Sequence, residues 1–594
     1  MAVLPARVAH GFLEGEQGIF ASYHAPRGGA PPRNVAYVVC LPLHLELVQS
    51  YQSMRRLADE LAAAGFHVMR VHYDGTGESI GSTDGDPGRV AAWLASVRRA
   101  VAAMTAIPHV ESVGLVGVRI GATFALQTSM EVDVSHLVLW EPCGGASYSR
   151  EMDILASSSP QRVPGGLVAA GYWLSQETLA ELGRLDLETM APRGTPDVLL
   201  VYRGDRKPSP RLQQHLERLG CETTVAHLPG HKEMVVMPHK SVVPTAILAA
   251  ICAWAVTRSR VVEATASAAD PPVALAPEAV VDGLRWRPLW LGSKGHLFGV
   301  MTEPRAGATR DVSPVLLLTG GVTPRTAGNG SYVTLARRLA AKGHTVVRMD
   351  VASIGESGTA DGLPGDGNDG FPPSVVLDAR AGFERACAAS PGTKVWLLGL
   401  CSGAYAAFQV ILEDERAGGV FLLNPVALRK LEAPATSEQG AAAAAPSAMA
   451  KVDQLEQMQR YWQVMRDPES WKKVLSGKAD LRNIASVVGG RVAARLASVK
   501  ERALARLGRA PQGLAGDIDQ LLARRVSVNL VFSEGDPGHA LVLTELGARE
   551  GELSRKGLRI KVFAGADHNF HEMSSRGELL DWVEASIRGS GAAG

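Results

Sequence analysis

The chain has 594 residues, 46% hydrophobic and 20% charged, with a formal net charge of +1. It is too long for one hydrophobic core, and its balanced charge gives no reason to expect nucleic acid as a partner. The six cysteines have neither C-x-x-C nor Cys/His spacing, which argues against a metal site or disulfide framework and favours a reduced, cytoplasmic setting. Residues 1–9 lack the apolar core of a signal peptide, so secretion is not expected. The most apolar run, 242–256, is shorter than the roughly 20 residues of a membrane span and predicts a buried helix.

Segments of the first half of the chain return in the second half in the same order. They pair as LADELAAAGFHV (from 57) with LARRLAAKGHTV (from 335), VMRVHYDGTGES (68) with VVRMDVASIGES (346), VGLVGVRIGA (113) with VWLLGLCSGA (395), and HLVLWEP (136) with GVFLLNP (419). Short Val/Leu/Ile runs between helical stretches are typical of strands buried on both faces of a parallel sheet. The pattern predicts an internal duplication of two α/β domains with mostly parallel sheets flanked by helices.

The predicted domains are separated by a segment rich in Ala and Pro. The first domain covers 1–260, the linker 261–283, and the second domain 284–425 and 524–594. Residues 426–523 interrupt the second domain and have a helical composition, so they are predicted to form a helical cap.

A glycine-framed turn occurs once in each half, as GVRIG at 117–121 and GLCSG at 399–403. In the G-x-S-x-G elbow the central residue sits on a sharp strand-to-helix turn, where its side chain is exposed for attack. Here the centres are Arg119 and Cys401. A thiol can act as a nucleophile, whereas a guanidinium stays protonated and cannot.

In the second half Cys401, Asp536 and His568 each follow a predicted strand, in the order nucleophile, acid, histidine. With the elbow, these residues make both halves resemble the α/β-hydrolase superfamily over nearly their full length. Within it the chain is similar to bacterial hydrolases of the serine aminopeptidase-like group, some of them associated with exopolysaccharide and exosortase gene clusters. Cysteine in place of serine departs from the usual pattern, but dienelactone hydrolase-like enzymes and some thioesterases of the superfamily use a Cys-His-Asp set.

The resemblance implies roles for these residues and for two loops. Cys401 would be the nucleophile, His568 its base and Asp536 the group that orients the base. The oxyanion hole would take the N–H of Ser402, the residue after the nucleophile, and that of Gly321 or Val322 in a glycine loop. The alternatives left open are Ser402 as the nucleophile, His539 or His571 as the base, and Asp567 as the acid; the nearby glycine-rich loop 362–370 is expected to be a solvated surface loop.

The first half keeps Asp205 and His231 at matching places around Arg119. Two interpretations compete: an arginine held by acids such as Asp205 or Glu141 in a structural ion pair, or an arginine that binds an anionic ligand. Either way the first domain is predicted to be a degenerate, non-catalytic copy.

The stretch from Lys472 to Arg509 carries about ten basic and two acidic residues on an amphipathic pattern. It would fit a peripheral membrane contact, an acyl-carrier protein or a coenzyme A moiety, or be a solvated helix face. The predicted function is acyl transfer through a thioester on Cys401, as a hydrolase or acyltransferase acting on a small acyl substrate without a cofactor. The alternatives are a non-catalytic partner-binding scaffold and a dienelactone-type lactone hydrolase.

Overall fold

The structure is a computed structural model that describes residues 8–13, 18–27, 29–81, 87–157, 163–262, 273–304, 312–326, 328–360, 369, 371–429 and 513–591. Of the predicted cap, only 426–429 and 513–523 lie in this part of the chain, and the basic stretch lies outside it. Most of the loop 362–370 and the middle of the predicted linker also lie outside the described residues.

The chain forms two compact units that do not follow the sequence halves. Unit 1 comprises Met1–Thr309, Val322–Asn368 and His571–Met573, and unit 2 comprises Arg310–Gly321, Asp369–Phe570 and Ser574–Gly594. Unit 1 therefore contains the first half of the sequence together with the early part of the second.

The strands of unit 1 are β1 (Ala9–Leu13), β2 (Ile19–His24), β3 (Val35–Cys40), β4 (His67–Val71), β5 (Ser112–Val118), β6 (His136–Trp140), β7 (Gly166–Ala169), β8 (Tyr172–Ser175), β9 (Asp197–Arg203), β10 (Thr223–Leu228), β11 (Ala279–Val281), β12 (Leu284–Leu291), β13 (Leu297–Pro304) and β15 (Val346–Met349). Its α-helices are α1 (His44–Ala63), α2 (Arg89–Thr105), α3 (Ile120–Ser129), α4 (Gly145–Ser157), α5 (Gln176–Gly183), α6 (Arg211–Arg218), α7 (His231–Met234), α8 (Thr245–Thr257) and α9 (Ser331–Ala341). The last part of the predicted linker forms strand β11, which pairs with β12 as an antiparallel hairpin.

The strands of unit 2 are β14 (Val315–Leu318), β16 (Val395–Leu400), β17 (Ala417–Leu423), β18 (Ser527–Ser533) and β19 (Arg559–Phe563). Its α-helices are α10 (Val375–Ala389), α11 (Ser402–Glu413), α12 (Leu514–Ala523), α13 (Pro537–Leu546), α14 (Glu550–Arg555) and α15 (Met573–Gly591), the last beginning at a unit boundary.

The first sheet lies wholly in unit 1 and has the order β1-β2-β4-β3-β5-β6-β9-β10. Strands β1 and β2 are antiparallel to their neighbours, and the six from β4 to β10 run parallel. Strand β3 is buried along its whole length, and separate apolar clusters cover the two faces of this sheet. The buried face of α8 belongs to one of them, which confirms the buried helix predicted from the apolar run.

Further paired strands lie in each unit. In unit 1 their order is β11-β12-β13-β15, all antiparallel, and in unit 2 it is β14-β16-β17-β18-β19, all parallel. Strand β16 is buried throughout, as is nearly all of α11 behind it. Two largely parallel sheets with flanking helices confirm the predicted α/β fold class. Among the described helices, none combines the length and the apolarity needed to cross a bilayer.

Candidate functional site

Cys401 occupies the sharp turn between β16 and α11 in unit 2. Its backbone has φ 52° and ψ −112°, a conformation that non-glycine residues rarely adopt. The N–H of Cys401 donates to the carbonyl of Leu423 at 2.9 Å, which fixes the turn against the end of β17. Cys401 is also the N-cap of α11, so its sulfur lies where the helix dipole favours negative charge.

The glycines around Cys401 let the chain approach itself closely. A Cβ on Gly399 would lie 2.2 Å from the carbonyl oxygen of Gly403, and a Cβ on Gly403 would lie 2.5 Å from that of Leu318. A Cβ on Gly320 would lie 2.4 Å from the carbonyl oxygen of Leu400, so the glycine loop passes directly beside the elbow. Only glycine fits these positions without moving the backbone.

His568 and Asp536 are hydrogen-bonded to each other. The distance from His568 Nδ1 to Asp536 Oδ2 is 2.7 Å, and the other carboxylate oxygen, Oδ1, accepts from the N–H of Gly538 at 2.8 Å. Asp536 is buried, whereas the His568 side chain is 37% exposed. Asp536 is therefore fixed at the N-terminus of α13 and binds Nδ1 of an accessible imidazole. The other ring nitrogen, Nε2, is left to exchange protons with a substrate or a nucleophile.

The pKa of His568 lies well above its ordinary value. Burial opposes this shift, but the hydrogen bond to Asp536 and the interaction with the Cys401 thiol together outweigh it. The Cys401 thiol therefore lies close enough to the imidazole to interact with it. A histidine beside a cysteine can act as the base that takes the thiol proton.

Two of the alternative residues have other surroundings. The ring of His539 packs against Phe532, with the ring centroids 4.7 Å apart. His571 as the base stays a prediction. Asp567 is exposed, and the carboxylate bound to the His568 ring is that of Asp536.

Asn424 organises this site and is not among the residues predicted from the sequence. It follows β17 with φ 41° and is fully buried. Its Nδ2 donates to the carbonyl of His568 at 2.7 Å and to Ser533 Oγ at 3.1 Å, and its Oδ1 accepts from the N–H of Ser533 at 2.8 Å. The one available signal was a polar residue directly after the apolar run FLL at the end of a buried strand.

We expect Asn424→Asp to lower the free energy of unfolding by about 1–3 kcal/mol, because a carboxylate would face the carbonyl of His568 with no proton to donate. Asn424→Gly is the comparison variant: glycine tolerates φ 41°, but it loses all three side-chain hydrogen bonds without placing a carboxylate against the carbonyl of His568. Chemical denaturation measures both changes. Wild-type stability in the aspartate variant would contradict the assigned hydrogen bonds.

The predicted oxyanion donors occupy an unexpected arrangement. The N–H of Gly321 donates to Ser402 Oγ at 2.8 Å, so in this structure that donor already has a partner. It becomes available to a substrate oxygen only when the Ser402 hydroxyl turns away. Ser402 itself is buried, and Val322, the other predicted donor, begins the next segment of unit 1.

The elbow in unit 1 has the same backbone form as the elbow at Cys401. Arg119, between β5 and α3, has φ 56° and ψ −122°, and its N–H donates to the carbonyl of Trp140 at 2.9 Å. A Cβ on Gly117 would lie 2.4 Å from the carbonyl oxygen of Gly121, and the equivalent distance in unit 2 is 2.2 Å. The turn is therefore preserved although its central residue cannot act as a nucleophile.

The acids that bind Arg119 differ from those expected. Arg119 Nε lies 2.7 Å from Glu46 Oε1, and Nη2 pairs with Glu151. The expectation that Asp205 or Glu141 would hold Arg119 is wrong, because Glu141 Oε1 accepts from the N–H of Arg203 at 2.5 Å. Burial opposes the charge on Arg119, but Glu46 and then the other anions raise its pKa above the usual value.

Asp205 and His231 do not complete a triad with Arg119. Asp205 is 55% exposed and accepts two hydrogen bonds from the Arg203 guanidinium, at 2.9 and 2.8 Å. His231 is buried, and within the described part of the chain its Nδ1 has no partner. Burial, with Arg119 next in effect, lowers the pKa of His231 to about 3. Its imidazole is therefore neutral at physiological pH.

Across the described residues, no group of three or more His, Cys, Asp or Glu side chains could hold a metal ion.

Residues 325–510 match the family model described as "Hydrolase_4: Serine aminopeptidase, S33". The matched segment contains Cys401 at the elbow and ends before Asp536 and His568. The chain is thus similar to hydrolases named for serine, while the centre of its own elbow is cysteine. None of the curated proteins searched matches the chain.

Solved structures similar to this chain include a lidless α/β serine hydrolase from Xanthomonas campestris, at 18% identity and a TM-score of 0.30, covering 43% of this chain and 97% of that one. Est1E from Butyrivibrio proteoclasticus with bound ferulic acid aligns at 14% identity and a TM-score of 0.33, covering 42% of this chain and 98% of that one. The thioesterase domain from the curacin biosynthetic pathway aligns at 14% identity and a TM-score of 0.28, covering 50% and 99%. Likenesses this distant say nothing about substrate.

Proposed function

We propose that unit 2 is an acyl-transfer enzyme in which Cys401 forms a thioester with the acyl group of an ester or thioester substrate. The observation that carries the proposal is the hydrogen-bonded pair of His568 and Asp536, with the pKa of His568 raised by Asp536 and by Cys401. The match of 325–510 to a hydrolase family supports the reaction class. The nucleophile and the domain roles are our inference from the geometry.

In the first step the Cys401 thiol gives its proton to His568 Nε2, and its sulfur attacks the acyl carbon to form a C–S bond. The bond to the leaving group breaks, and the leaving alcohol or thiol takes a proton from His568 Nε2. In the second step water, an alcohol or an amine gives a proton to His568 and attacks the thioester, which breaks the C–S bond and frees Cys401. Asp536 keeps Nδ1 occupied throughout, so the ring exchanges protons through Nε2 alone.

Negative charge on the acyl oxygen needs donors beside Cys401. The N–H of Ser402 begins α11, and the N–H of Gly321 lies in the loop that packs against the elbow. Rotation of the Ser402 hydroxyl would free the Gly321 N–H for the substrate, at the expense of one hydrogen bond. We assign the first half of the chain a non-catalytic role, because Arg119 is neutralised by Glu46 and Glu151.

Selective alkylation of the cysteines tests this proposal. We expect iodoacetamide at pH 7 to modify Cys401 faster than the other five thiols, because His568 is placed to take its proton. Cys387 is the internal control: it is only half-buried, yet burial raises its pKa to about 11. Peptide mapping after partial reaction gives both rates in one sample. Modification of Cys401 no faster than that of Cys387 would overturn the proposal.

The occupied N–H of Gly321 favours a second candidate, a non-catalytic scaffold that keeps the elbow without using it. That candidate predicts slow, unselective alkylation of Cys401 and no acyl-enzyme with any donor. The same alkylation experiment separates the two.

A further inference from the structure

Unit 1 contains a fully buried network of charged side chains that the proposed chemistry does not use. Its members come from both halves of the sequence, although all of them lie within unit 1. The three cations and three anions balance, and each side chain is at most 2% exposed: Arg70, Arg325, Arg348, Glu78, Asp350 and Glu356.

Two of the ion pairs are reciprocal. Arg70 Nη2 lies 2.7 Å from Glu356 Oε2. Arg348 Nη1 and Nη2 donate to the two carboxylate oxygens of Glu78 at 2.9 and 2.7 Å. Arg70 and Arg348 are 278 positions apart, and so are Glu78 and Glu356. Each half of the sequence therefore supplies an arginine to the glutamate of the other half.

The backbone around each glutamate repeats in the same register. Ser79 Oγ donates to the carbonyl of His72 at 2.7 Å and accepts from the N–H of Phe20 at 2.8 Å. The residues 278 positions further on make the same two bonds at the same two lengths: Ser357, Asp350 and Phe298. The motif GES at 77–79 and 355–357 thus has one local structure in both halves.

The ring of Phe20 also meets its own counterpart. The rings of Phe20 and Phe298 have centroids 6.3 Å apart, inside an apolar cluster that includes Phe12, Trp286 and Val300. A residue that contacts the residue equivalent to itself lies on a two-fold axis, and reciprocal pairs lie on either side of it.

We propose that the two halves of the chain are joined in unit 1 as an internal pseudodimer, with Phe20 and Phe298 on its axis and Arg70–Glu356 and Arg348–Glu78 as its reciprocal pairs. The partner that this surface fits is a second copy of the same structural repeat, and here the second half of the sequence provides it. The first half of the chain, which has Arg119 in place of a nucleophile, packs as the partner of the early part of the second half. This inference is independent of the chemistry at Cys401.

The two halves are not fully equivalent, because Glu78 and Glu356 each have a further partner that the other glutamate lacks. Arg325 adds a contact to Glu78, with Nε 2.9 Å from Oε1, while its counterpart in the first half is Leu47. Tyr51 donates to Glu356 Oε1 at 2.7 Å, while its counterpart is Asn329. The two glutamates thus share the reciprocal arginines but differ in their other partners.

Double-mutant cycles in the full chain test the pseudodimer. Removing one member of a buried pair leaves an uncompensated charge, whereas removing both leaves none. We expect Arg70→Met and Glu356→Leu each to lower the melting temperature, and the double variant to lower it by clearly less than the two shifts combined. The same result is expected for Arg348→Met with Glu78→Leu.

The matched controls combine residues of the same half, as Arg70→Met with Glu78→Leu and Arg348→Met with Glu356→Leu. We expect their shifts to be close to additive. Equal coupling in the same-half and cross-half combinations, or additive shifts in the cross-half pairs, would overturn the proposal. If the methionine variants do not fold, lysine replaces each arginine. Arg348→Lys should then lower the melting temperature more than Arg70→Lys, because only Arg348 contacts both oxygens of its glutamate; the reverse order would count against the assigned pairs.

Discussion

Replacing His568 by alanine should slow the acylation of Cys401 by about 10²–10⁴-fold, the range that a positioned acid–base group usually contributes. The imidazole is accessible and bonded to buried Asp536, and Asp536 and the Cys401 thiol both raise its pKa. Without it, neither the thiol proton nor the proton for the leaving group has a carrier. Stopped-flow detection of leaving-group release from an activated ester measures the loss directly.

His539→Ala is the matched control, because His539 packs against Phe532 and has no part in the proposed proton transfer. Its acylation rate should stay within a few-fold of the wild type. The acylation rate of Asp536→Asn should fall between those of the two alanine variants. This change should also lower the pKa of His568, since the hydrogen bond that its ring donates to Asp536 is the largest contribution that raises it. A His568→Ala variant as fast as the wild type would exclude this histidine as the base.

The second large effect is loss of the fold of unit 1 in mild acid. Burial lowers the pKa values of six of its histidines to between about 3 and about 4: His24, His44, His67, His72, His136 and His231. In the unfolded chain these groups take up a proton near pH 6.5, whereas in the folded unit they stay neutral. Below that pH the unfolded state binds more protons, so stability falls as the pH falls.

Each of these histidines lowers the free energy of unfolding by about 1.4 kcal/mol for each pH unit that the pH falls between 6.5 and its pKa in the folded state. Together they cost on the order of 10 kcal/mol by pH 5, comparable with the ~5–15 kcal/mol that stabilises a typical domain. We therefore expect peptides of unit 1 to lose hydrogen-exchange protection between about pH 4 and 6.

His44→Gln should reduce this acid sensitivity, because glutamine at that buried position cannot take up a proton. His227→Gln, at an exposed position, is the control and should leave the profile unchanged. Full protection of unit 1 down to pH 4 would contradict the burial of these imidazoles in a neutral state.

Much of the fold and part of the site could be predicted from sequence because the signals are local. Apolar runs without alternation identified the parallel strands, and the glycine spacing identified both elbows, whose strained φ angles appear at Cys401 and Arg119. The approximate place of Asp536 and His568 followed from their position after strands. These features depend on residues within a few positions of each other.

What could not be predicted depends on contacts between distant segments. Asn424 binds the carbonyl of His568, 144 positions away in the sequence. Arg119 is paired with Glu46 and Glu151 and not with the expected acids, Asp205 and Glu141. The hydrogen bond from Gly321 to Ser402 depends on a side-chain rotamer that sequence does not encode. In the sequence, Arg70 and Arg348 belong only to a repeated motif. Their reciprocal pairing with the glutamates of the other half is seen in the tertiary structure.

In the proposed reaction Cys401 carries the acyl group. The most direct measurement is the intact mass of the full chain after exposure to a panel of acyl thioesters and activated esters, quenched in acid and mapped by peptide digestion. We predict one acyl adduct per chain, located on Cys401, absent in Cys401→Ala and retained in Cys387→Ala. An adduct that persists in Cys401→Ala, or none in the wild type with any donor, would contradict the assignment of Cys401 as the nucleophile.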